Sequence, residues 1–216
     1  MKPISKLHFI TTNAASAEDA CKGGIDWIQL RLKNVPYAEY YAIARDVKAI
    51  CRSYDATFII NDNVALAVDI GADGVHIGKK DMSPDTARTL IGDRLIIGCT
   101  ANTLEDVIEL SGKPIDYIGL GPYRFTNTKQ NLSPILGIEG YQKIFTQLKE
   151  LQVTPPPLIG IGGITEHDIV KLMDTGLHGI AASGAISNAF DITATSKAFK
   201  IRSTIKRTTL FDFELT

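Results

Sequence analysis

Residues 157–186, which read PLIGIGGITEHDIVKLMDTGLHGIAASGAI, decide the fold. An apolar run over 157–164 ends in paired glycines, and a helical pattern follows over 165–176. A second apolar run over 178–186 then contains a further Ser-Gly turn. This order of strand, helix and strand is the repeating unit of parallel sheets.

The same alternation continues outward from this segment to the start of the chain. The predicted strands are 7–12, 27–33, 57–62, 74–78, 95–100, 117–122, 157–164 and 178–186. The intervening helices carry capping signals, including Ser83 before Pro84 and Thr103 three residues before Asp106. Eight strand–helix pairs without a linker predict a single-domain (β/α)8 TIM barrel over 1–206, followed by a C-terminal tail over 207–216.

Composition narrows the range of functions. The chain has 216 residues and a formal net charge of −1, which offers no field to attract nucleic acid or an anionic membrane. Its three cysteines, Cys21, Cys51 and Cys99, are odd in number and form no C-x-x-C pair, which indicates a reducing compartment. No apolar run approaches the roughly 20 residues of a membrane span. We therefore expect a cytoplasmic protein that binds neither nucleic acid nor a membrane, and a homo-oligomer is possible.

The second predicted strand, WIQLRLK over 27–33, carries an unusual polar face. Side chains alternate across a strand, so one face holds Ile28, Leu30 and Leu32 and the other holds Gln29, Arg31 and Lys33. If the apolar face packs on the helices, the cations point into the barrel. Unpaired buried charge is costly, so two cations there imply a bound anion. The alternative is the ordinary polar face of a solvated strand.

Acidic residues follow the next two strands. Asn61 and Asp62 end one strand, and Asp81 follows the next in GVHIGKKD. The C-terminal ends of adjacent barrel strands lie side by side, and active sites of TIM barrels lie at that end. Because Mg²⁺ takes oxygen ligands and bridges carboxylates to phosphates, Asp62 and Asp81 form a candidate Mg²⁺ site. The alternative is that both residues are helix caps.

Two further segments suggest phosphate binding at the same end of the barrel. The turns GIGGI (160–164) and ASGAI (182–186) follow the last two strands, where glycine allows backbone N–H groups to approach an anion. The loop FTNTKQN (125–131) follows the sixth strand and offers two threonines and a lysine. We interpret it as a phosphate-binding loop, although a solvated loop rich in turn formers is an alternative.

Other candidate nucleophiles and bases are better explained by packing. His76 lies within a strand, where a lone histidine is more often a satisfied packing residue than a base, and we leave it out of the chemistry. Cys99 has no histidine at a predictable partner position. The sequence also contains no Ser-His-Asp order and no cluster with zinc-ligand spacing.

Taken in order, QLRLK, FIINDNVALA, GADGVHIGKKD, IDYIGLGPYRFTNTK and IGIGGIT resemble the thiamine phosphate synthase family. The resemblance extends from about residue 7 to residue 186. It implies a (β/α)8 barrel and a Mg²⁺-dependent transferase. That enzyme joins a hydroxymethylpyrimidine diphosphate to a thiazole phosphate and releases diphosphate through a pyrimidine cation.

The resemblance also implies a role for individual residues. Arg31, Lys33 and Lys129 would be the catalytic cations, and Asp62 and Asp81 the Mg²⁺ ligands. Substrate-binding positions would be Gln29, Arg31, Lys33, Asn61, Thr100, Thr126, Thr128, Lys129, Gly163, Ser183 and Gly184.

The chain departs from the family pattern at a few positions. Asn127 replaces a frequent proline, Gly184 replaces a frequent serine, and the run Cys-Thr-Ala-Asn at 99–102 differs from the usual serine-containing run. Two alternatives stay open: a thiazole tautomerase-like barrel and a non-catalytic barrel that binds metabolites for regulation. The tautomerase relatives typically carry a histidine near the position of Asn102.

Overall fold

The computed structural model describes residues 3–125 and 134–205. Eight parallel strands form a closed barrel in which each strand pairs with the next and β8 pairs with β1. The strands are β1 (Leu7–Thr11), β2 (Trp27–Leu30), β3 (Thr57–Asn61), β4 (Gly74–Ile77), β5 (Ile96–Ala101), β6 (Tyr117–Leu120), β7 (Leu158–Ile161) and β8 (Gly179–Ala182). The predicted (β/α)8 barrel is confirmed. The predicted tail lies outside the described residues, so the boundary at residue 206 stays a prediction.

Helices cover the outside of the barrel. They are α1 (Ala14–Lys22), α2 (Tyr37–Ser53), α3 (Val64–Ile70), α4 (Pro84–Ile91), α5 (Leu104–Ser111), α6 (Gly137–Glu150), α7 (Ile169–Met173), α8 (Gly184–Ser187) and α9 (Ile192–Thr204). The predicted caps are confirmed: Ser83 accepts a hydrogen bond from the Thr86 N–H at 3.1 Å, and Thr103 forms a capping box with Asp106. In the described part of the chain, no helix combines the length and apolar character needed to cross a bilayer.

The main hydrophobic core lies between the strands and the helices. Strand residues such as Leu7, Phe9, Ile28 and Ile60 are fully buried there against helix residues such as Val47. Because both faces of a parallel barrel are covered, its strands are nearly continuous apolar runs. This scaffold fixes the strand ends that carry the candidate site.

The barrel interior holds a second, smaller apolar cluster that is unusually aromatic. Trp27 of β2 and Tyr117 of β6 meet edge-to-face at 5.6 Å between ring centroids, and the His8 ring stacks on Trp27 at 4.2 Å. Gly98 leaves the space that Tyr117 occupies, since a Cβ at Gly98 would lie 2.1 Å from the phenol ring. Burial lowers the pKa of His8 well below its usual value, so its ring is neutral. Aromatic rings therefore fill the barrel interior beneath the candidate site.

Candidate functional site

The C-terminal end of β2 differs from the prediction in one respect. The strand ends at Leu30, so Arg31 and Lys33 lie in the following loop and not on the predicted strand face. Only Gln29 of the predicted polar face lies in the interior, where it is 4% exposed. The prediction failed because the alternating pattern continues in the sequence past the last backbone pair, Leu30 with Ile60. Arg31 remains partly buried and Lys33 is exposed at the rim.

Gln29 and Asn61 form a buried amide pair at the ends of β2 and β3. The Gln29 Nε2 donates a hydrogen bond to the Asn61 Oδ1 at 2.7 Å. The Asn61 Nδ2 is buried and has no hydrogen-bond partner within the described residues. A buried donor without a partner is costly, which makes this atom a candidate contact for a ligand acceptor.

Asp62, the residue after Asn61, forms an ion pair with Lys33. The Lys33 ammonium donates a short hydrogen bond to the Asp62 Oδ2, and the Asp62 side chain is 22% exposed. Burial alone would raise the pKa of Asp62, but the Lys33 ammonium outweighs it and lowers the pKa below its usual value. Asp62 also adopts φ +64, a left-handed conformation that is uncommon outside glycine and marks functional sites more often than other positions.

Asp81 brings a second carboxylate to the same place. A Cβ at Gly78 would lie 2.8 Å from the Asp81 Oδ2 and 3.7 Å from the Asp62 Oδ1, so both carboxylates lie beside that glycine. Partial desolvation and the neighbouring Asp62 carboxylate raise the pKa of Asp81 above its usual value. Together the two carboxylates offer oxygen donors of the kind that hold a divalent cation.

The alternative that these acids cap helices is excluded by the structure. The cap of α3 is Asn63, which accepts from the Leu66 N–H at 2.9 Å, and the cap of α4 is Ser83. Asp81 instead accepts from the Gly78 N–H at 2.8 Å, which closes the loop after β4. One oxygen of Asp81 therefore stabilises the loop after β4.

Tyr40 of α2 ties the ends of β2 and β3 together from behind. Its hydroxyl donates to the Leu30 carbonyl at 2.8 Å and lies 3.2 Å from the Asn61 carbonyl. Burial raises the pKa of Tyr40 to about 12, so the phenol stays protonated. The two carbonyls immediately precede Arg31 and Asp62. This hydroxyl therefore holds the backbone in place where β2 and β3 end and their loops begin.

An open cleft of about 600 Å³ lies in front of these groups. Its lining includes the predicted site residues Lys33, Asn61, Asp62 and Asp81, together with Tyr40. Its volume lies within the range of small-molecule sites. A cluster of three or more His, Cys, Asp or Glu side chains arranged for a metal ion does not occur among the described residues.

Thr100 lies on β5 and contacts a residue that sequence reasoning set aside. The His76 Nε2 lies 3.0 Å from the Thr100 Oγ1, and the His76 Nδ1 lies 3.0 Å from the Tyr117 hydroxyl. His76 thus links the aromatic interior to the Thr100 hydroxyl. The inward position of His76 was available from strand alternation, but its partners come from β5 and β6 and depend on barrel closure.

The predicted phosphate-binding residues lie at the far side of the same barrel end. Gly162 and Gly163, here called the glycine turn, follow β7 with φ +98 and +68. Ser183 and Gly184 follow β8 at the start of α8. No described residue accepts a hydrogen bond from the Gly163 N–H. Thr126, Thr128 and Lys129 fall outside the described residues.

Two residues outside the chemistry have structural roles. Burial raises the pKa of the Cys99 thiol to about 12, which makes it a poor nucleophile at neutral pH. Asn102 is 7% exposed, and its Nδ2 donates a short hydrogen bond to the Gly121 carbonyl, which fastens β5 to the segment after β6.

Asp168 forms an ion-pair network beside the glycine turn that the sequence did not reveal. Its Oδ2 accepts from the Arg124 Nη1 at 2.7 Å and from the Thr165 N–H at 2.9 Å. Burial alone would raise the pKa of Asp168, but the hydrogen bonds from Arg124 and Thr165 lower it to about 2. Thr165 and Asp168 form a capping box in sequence, whereas Arg124 lies 44 residues away.

This depressed pKa predicts an acid-dependent loss of stability. The stabilisation from ionised Asp168 is present above its unfolded pKa of about 4 and is lost as the pH falls towards 2. Since Arg124 is half exposed, we expect a contribution on the order of 1 kcal/mol, or about 2–4 °C in Tm. Thermal unfolding of the wild type and Asp168→Asn at pH 7 and pH 2.5 measures it. The difference in Tm should shrink at the lower pH; an unchanged difference would contradict this assignment.

Comparison with known proteins agrees with the geometry. Residues 3–186 match the model of a family described as thiamine monophosphate synthase. The chain is 47% identical to a thiamine-phosphate synthase of Bacteroides thetaiotaomicron over 93% of this chain and 99% of the relative. It is 48% identical to a thiamine-phosphate synthase of Flavobacterium johnsoniae over 86% of this chain and 87% of the relative.

A solved structure supports the same relationship. The thiamine phosphate pyrophosphorylase from Pyrococcus furiosus superposes with a TM-score of 0.81 at 31% identity, covering 92% of this chain and 95% of that one. The sequence-based prediction of an enzyme of the transferase class is confirmed by these relatives. The chain belongs to the thiamine monophosphate synthase family.

Proposed function

We propose that this protein is a Mg²⁺-dependent thiamine-phosphate synthase. It would couple 4-amino-2-methyl-5-hydroxymethylpyrimidine diphosphate with a thiazole phosphate and release diphosphate. The observation that carries the proposal is the grouping of Lys33, Asp62 and Asp81 around one cleft that Asn61 also lines. The high identity to named synthases supports the same activity.

The pyrimidine subsite is the amide pair. Because Gln29 occupies the Asn61 Oδ1, the Asn61 Nδ2 is left to donate to a ring nitrogen of the pyrimidine. Thr100, oriented by His76, would present its hydroxyl to the same ring. Buried polar groups that stay unpaired without ligand select for a ring with matching acceptors and donors.

The diphosphate subsite is the rim of the cleft. Lys33, Arg31 and Lys129 would bind its oxygens, and Arg31 has no ion-pair partner within the described residues. The oxygen-only donor set of Asp62 and Asp81 fits Mg²⁺, which commonly takes one or two carboxylates and completes its shell with water and substrate phosphate. When bound, Mg²⁺ would neutralise charge that develops on the departing diphosphate.

The chemistry we propose is dissociative. The bond between the pyrimidine methylene carbon and the diphosphate oxygen breaks first, leaving a pyrimidine cation, and its electron pair leaves with diphosphate. The thiazole nitrogen then forms the new carbon–nitrogen bond. The side chains of this protein act by electrostatic preorganisation, and none of them becomes a nucleophile.

The thiazole phosphate would bind on the opposite side of the same barrel end. Gly163, Ser183 and Gly184 follow β7 and β8, where TIM barrels often bind phosphate. Thr126 and Thr128 complete this proposed subsite; both lie outside the described residues, as does Lys129 of the diphosphate subsite. Cytoplasmic location is also part of the proposal, and the three buried free cysteines are consistent with it.

A single assay tests the function. Both phosphorylated halves are mixed with the protein and Mg²⁺, and released diphosphate is followed by phosphorus NMR, with a chelator as the control. We expect diphosphate and thiamine phosphate to appear in equal amounts, and to disappear when Mg²⁺ is removed. Binding of both substrates without release would instead support a non-catalytic regulatory barrel.

The thiazole tautomerase alternative is weaker on structural grounds. The position that carries a histidine in those relatives is close to Asn102, whose side chain is already bound to the Gly121 carbonyl. Lys33, Asp62 and Asp81, which a tautomerase would not need, are grouped at one cleft. We therefore retain the synthase as the proposed function.

Tyr40→Phe should lower kcat/KM for the pyrimidine diphosphate about tenfold. Removing the hydroxyl deprives the Leu30 and Asn61 carbonyls of this hydrogen bond. The first carbonyl precedes the loop that carries Arg31 and Lys33, and the second precedes Asp62. The matched control is Tyr141→Phe, which removes a similar buried hydrogen bond to the Leu120 carbonyl at 2.7 Å. Both variants should lose about 0.5–1.5 kcal/mol of stability. If Tyr141→Phe lowered this kcat/KM equally, general destabilisation would explain the effect and the positioning role would be wrong.

A further inference from the structure

Arg124 connects the segment after β6 to the glycine turn after β7. Its Nη1 donates to the Gly163 carbonyl at 3.1 Å and to the Asp168 Oδ2 at 2.7 Å. Its Nη2 donates to the Asp168 Oδ1 and to the Tyr123 hydroxyl, the latter at 3.3 Å. The guanidinium carbon also lies 4.6 Å from the centroid of the Tyr123 ring. The planar fork of arginine suits such simultaneous contacts, which a lysine ammonium cannot reproduce.

The backbone holds the same two segments together. The Tyr123 N–H donates to the Ile161 carbonyl at 2.8 Å, and the Arg124 N–H donates to the Gly162 carbonyl at 2.9 Å. A Cβ at Gly163 would lie 2.8 Å from the Arg124 Cβ, so the turn is pressed against this residue. Both glycines are left-handed, a conformation that glycine reaches without strain. The Arg124 N–H thus holds the peptide that carries the Gly163 N–H, through the Gly162 carbonyl, and the Arg124 guanidinium holds the next peptide of the turn, through the Gly163 carbonyl.

The charge of Arg124 is already neutralised within the protein. Asp168 is 7% exposed and is fixed in place by the Thr165 N–H and hydroxyl at 2.9 and 2.6 Å. Arg124 is therefore bound on one side to a buried carboxylate and on the other to the Gly163 carbonyl. Both of its Nη groups hydrogen-bond within the protein, so it is placed to orient the turn. The Gly163 N–H, by contrast, donates to no described residue.

We propose that Arg124 is a positioning residue that, through Asp168 and the Gly163 carbonyl, orients the glycine turn so that its N–H groups bind the phosphate of the acceptor substrate. The proposal rests on the proposed function for the identity of that substrate. It predicts an effect on one substrate of the pair, because Lys33, Asp62 and Asp81 belong to other loops.

The kinetic test separates positioning from general stability. Arg124→Gln should raise KM for the thiazole phosphate about tenfold and leave kcat and KM for the pyrimidine diphosphate within about twofold. Arg124→Lys, which restores the charge, should recover part of the loss. The control is Arg202→Gln, which breaks the ion pair of Arg202 with Glu166 (2.6 Å). Glu166 lies in the same short 3₁₀ helix as Asp168, Glu166–Asp168, but this ion pair does not involve the glycine turn. Arg202→Gln should change neither KM. Equal effects of Arg124→Gln on both substrates, or no effect, would overturn the proposal.

A binding test does not depend on turnover. Inorganic phosphate is titrated into protein labelled at glycine with an NMR-active nitrogen isotope. In the wild type the Gly163 amide signal should shift and reach saturation. In Arg124→Gln the apparent affinity for phosphate that this signal reports should be about tenfold weaker. An equal response in the two proteins, or no response in the wild type, would overturn the proposal. If the Gly163 response is present and differs as expected but no diphosphate is released, the positioning role stands and the proposed function fails.

Discussion

Asp62→Asn should lower the rate of diphosphate release roughly 10³-fold while the fold stays intact. The substitution keeps the size of the side chain, and asparagine accepts the left-handed conformation at φ +64 about as readily as aspartate. What is lost is one of the two carboxylate groups and the charge that pairs with Lys33. The rate is measured by phosphorus NMR at saturating substrates and Mg²⁺.

The control for this variant is Asp85→Asn. Asp85 also pairs with a lysine, Lys113, at 2.8 Å, but its side chain is 57% exposed on α4 and takes no part in the cleft. We expect normal turnover for Asp85→Asn and a Tm within a few degrees of the wild type for both variants. Near-normal turnover in Asp62→Asn would rule out the proposed role of the carboxylate pair.

Lys33→Met should lower kcat/KM for the pyrimidine diphosphate roughly 100-fold. The ammonium is half exposed at the rim of the cleft, so its ion pair with Asp62 contributes at most about 1 kcal/mol to stability. In the proposed mechanism its contribution to catalysis is larger, since charge would accumulate on the leaving diphosphate as the carbon–oxygen bond breaks. Steady-state kinetics with the thiazole phosphate held saturating measures the loss.

Lys113→Met is the matched control, because it removes the other half of the Asp85 pair. It should leave kcat/KM within about twofold of the wild type. A loss in Lys33→Met that is removed by raising the substrate concentration would mean that Lys33 contributes uniform binding only. A kcat that falls along with kcat/KM supports a contribution to the transition state.

The sequence was informative where the pattern is local. Strand–helix alternation predicted the barrel, and the cap signals at Ser83 and Thr103 predicted where two helices begin. Asp62 and Asp81 could be placed near each other, because adjacent parallel strands bring their C-terminal ends to one rim. Family resemblance then supplied the proposed identity of the substrates, which the physical pattern could not.

The remaining features depend on contacts between distant segments. The end of β2 is set by pairing with its neighbours, so alternation wrongly extended the strand to Lys33. His76 was set aside, although barrel closure places it 3.0 Å from Thr100. The link between Arg124 and Asp168 joins residues 44 apart and leaves no periodic signal. Such contacts appear only when the fold is known.

Manganese binding tests the carboxylate pair most directly. Equilibrium dialysis with Mn²⁺ and the pyrimidine diphosphate, read by electron paramagnetic resonance, compares the wild type with the double variant Asp62→Asn, Asp81→Asn. We predict a single protein-bound Mn²⁺ in the wild type and an affinity at least about tenfold weaker in the double variant, since both oxygen-donating acids are lost. Unchanged Mn²⁺ affinity in the double variant would contradict the account.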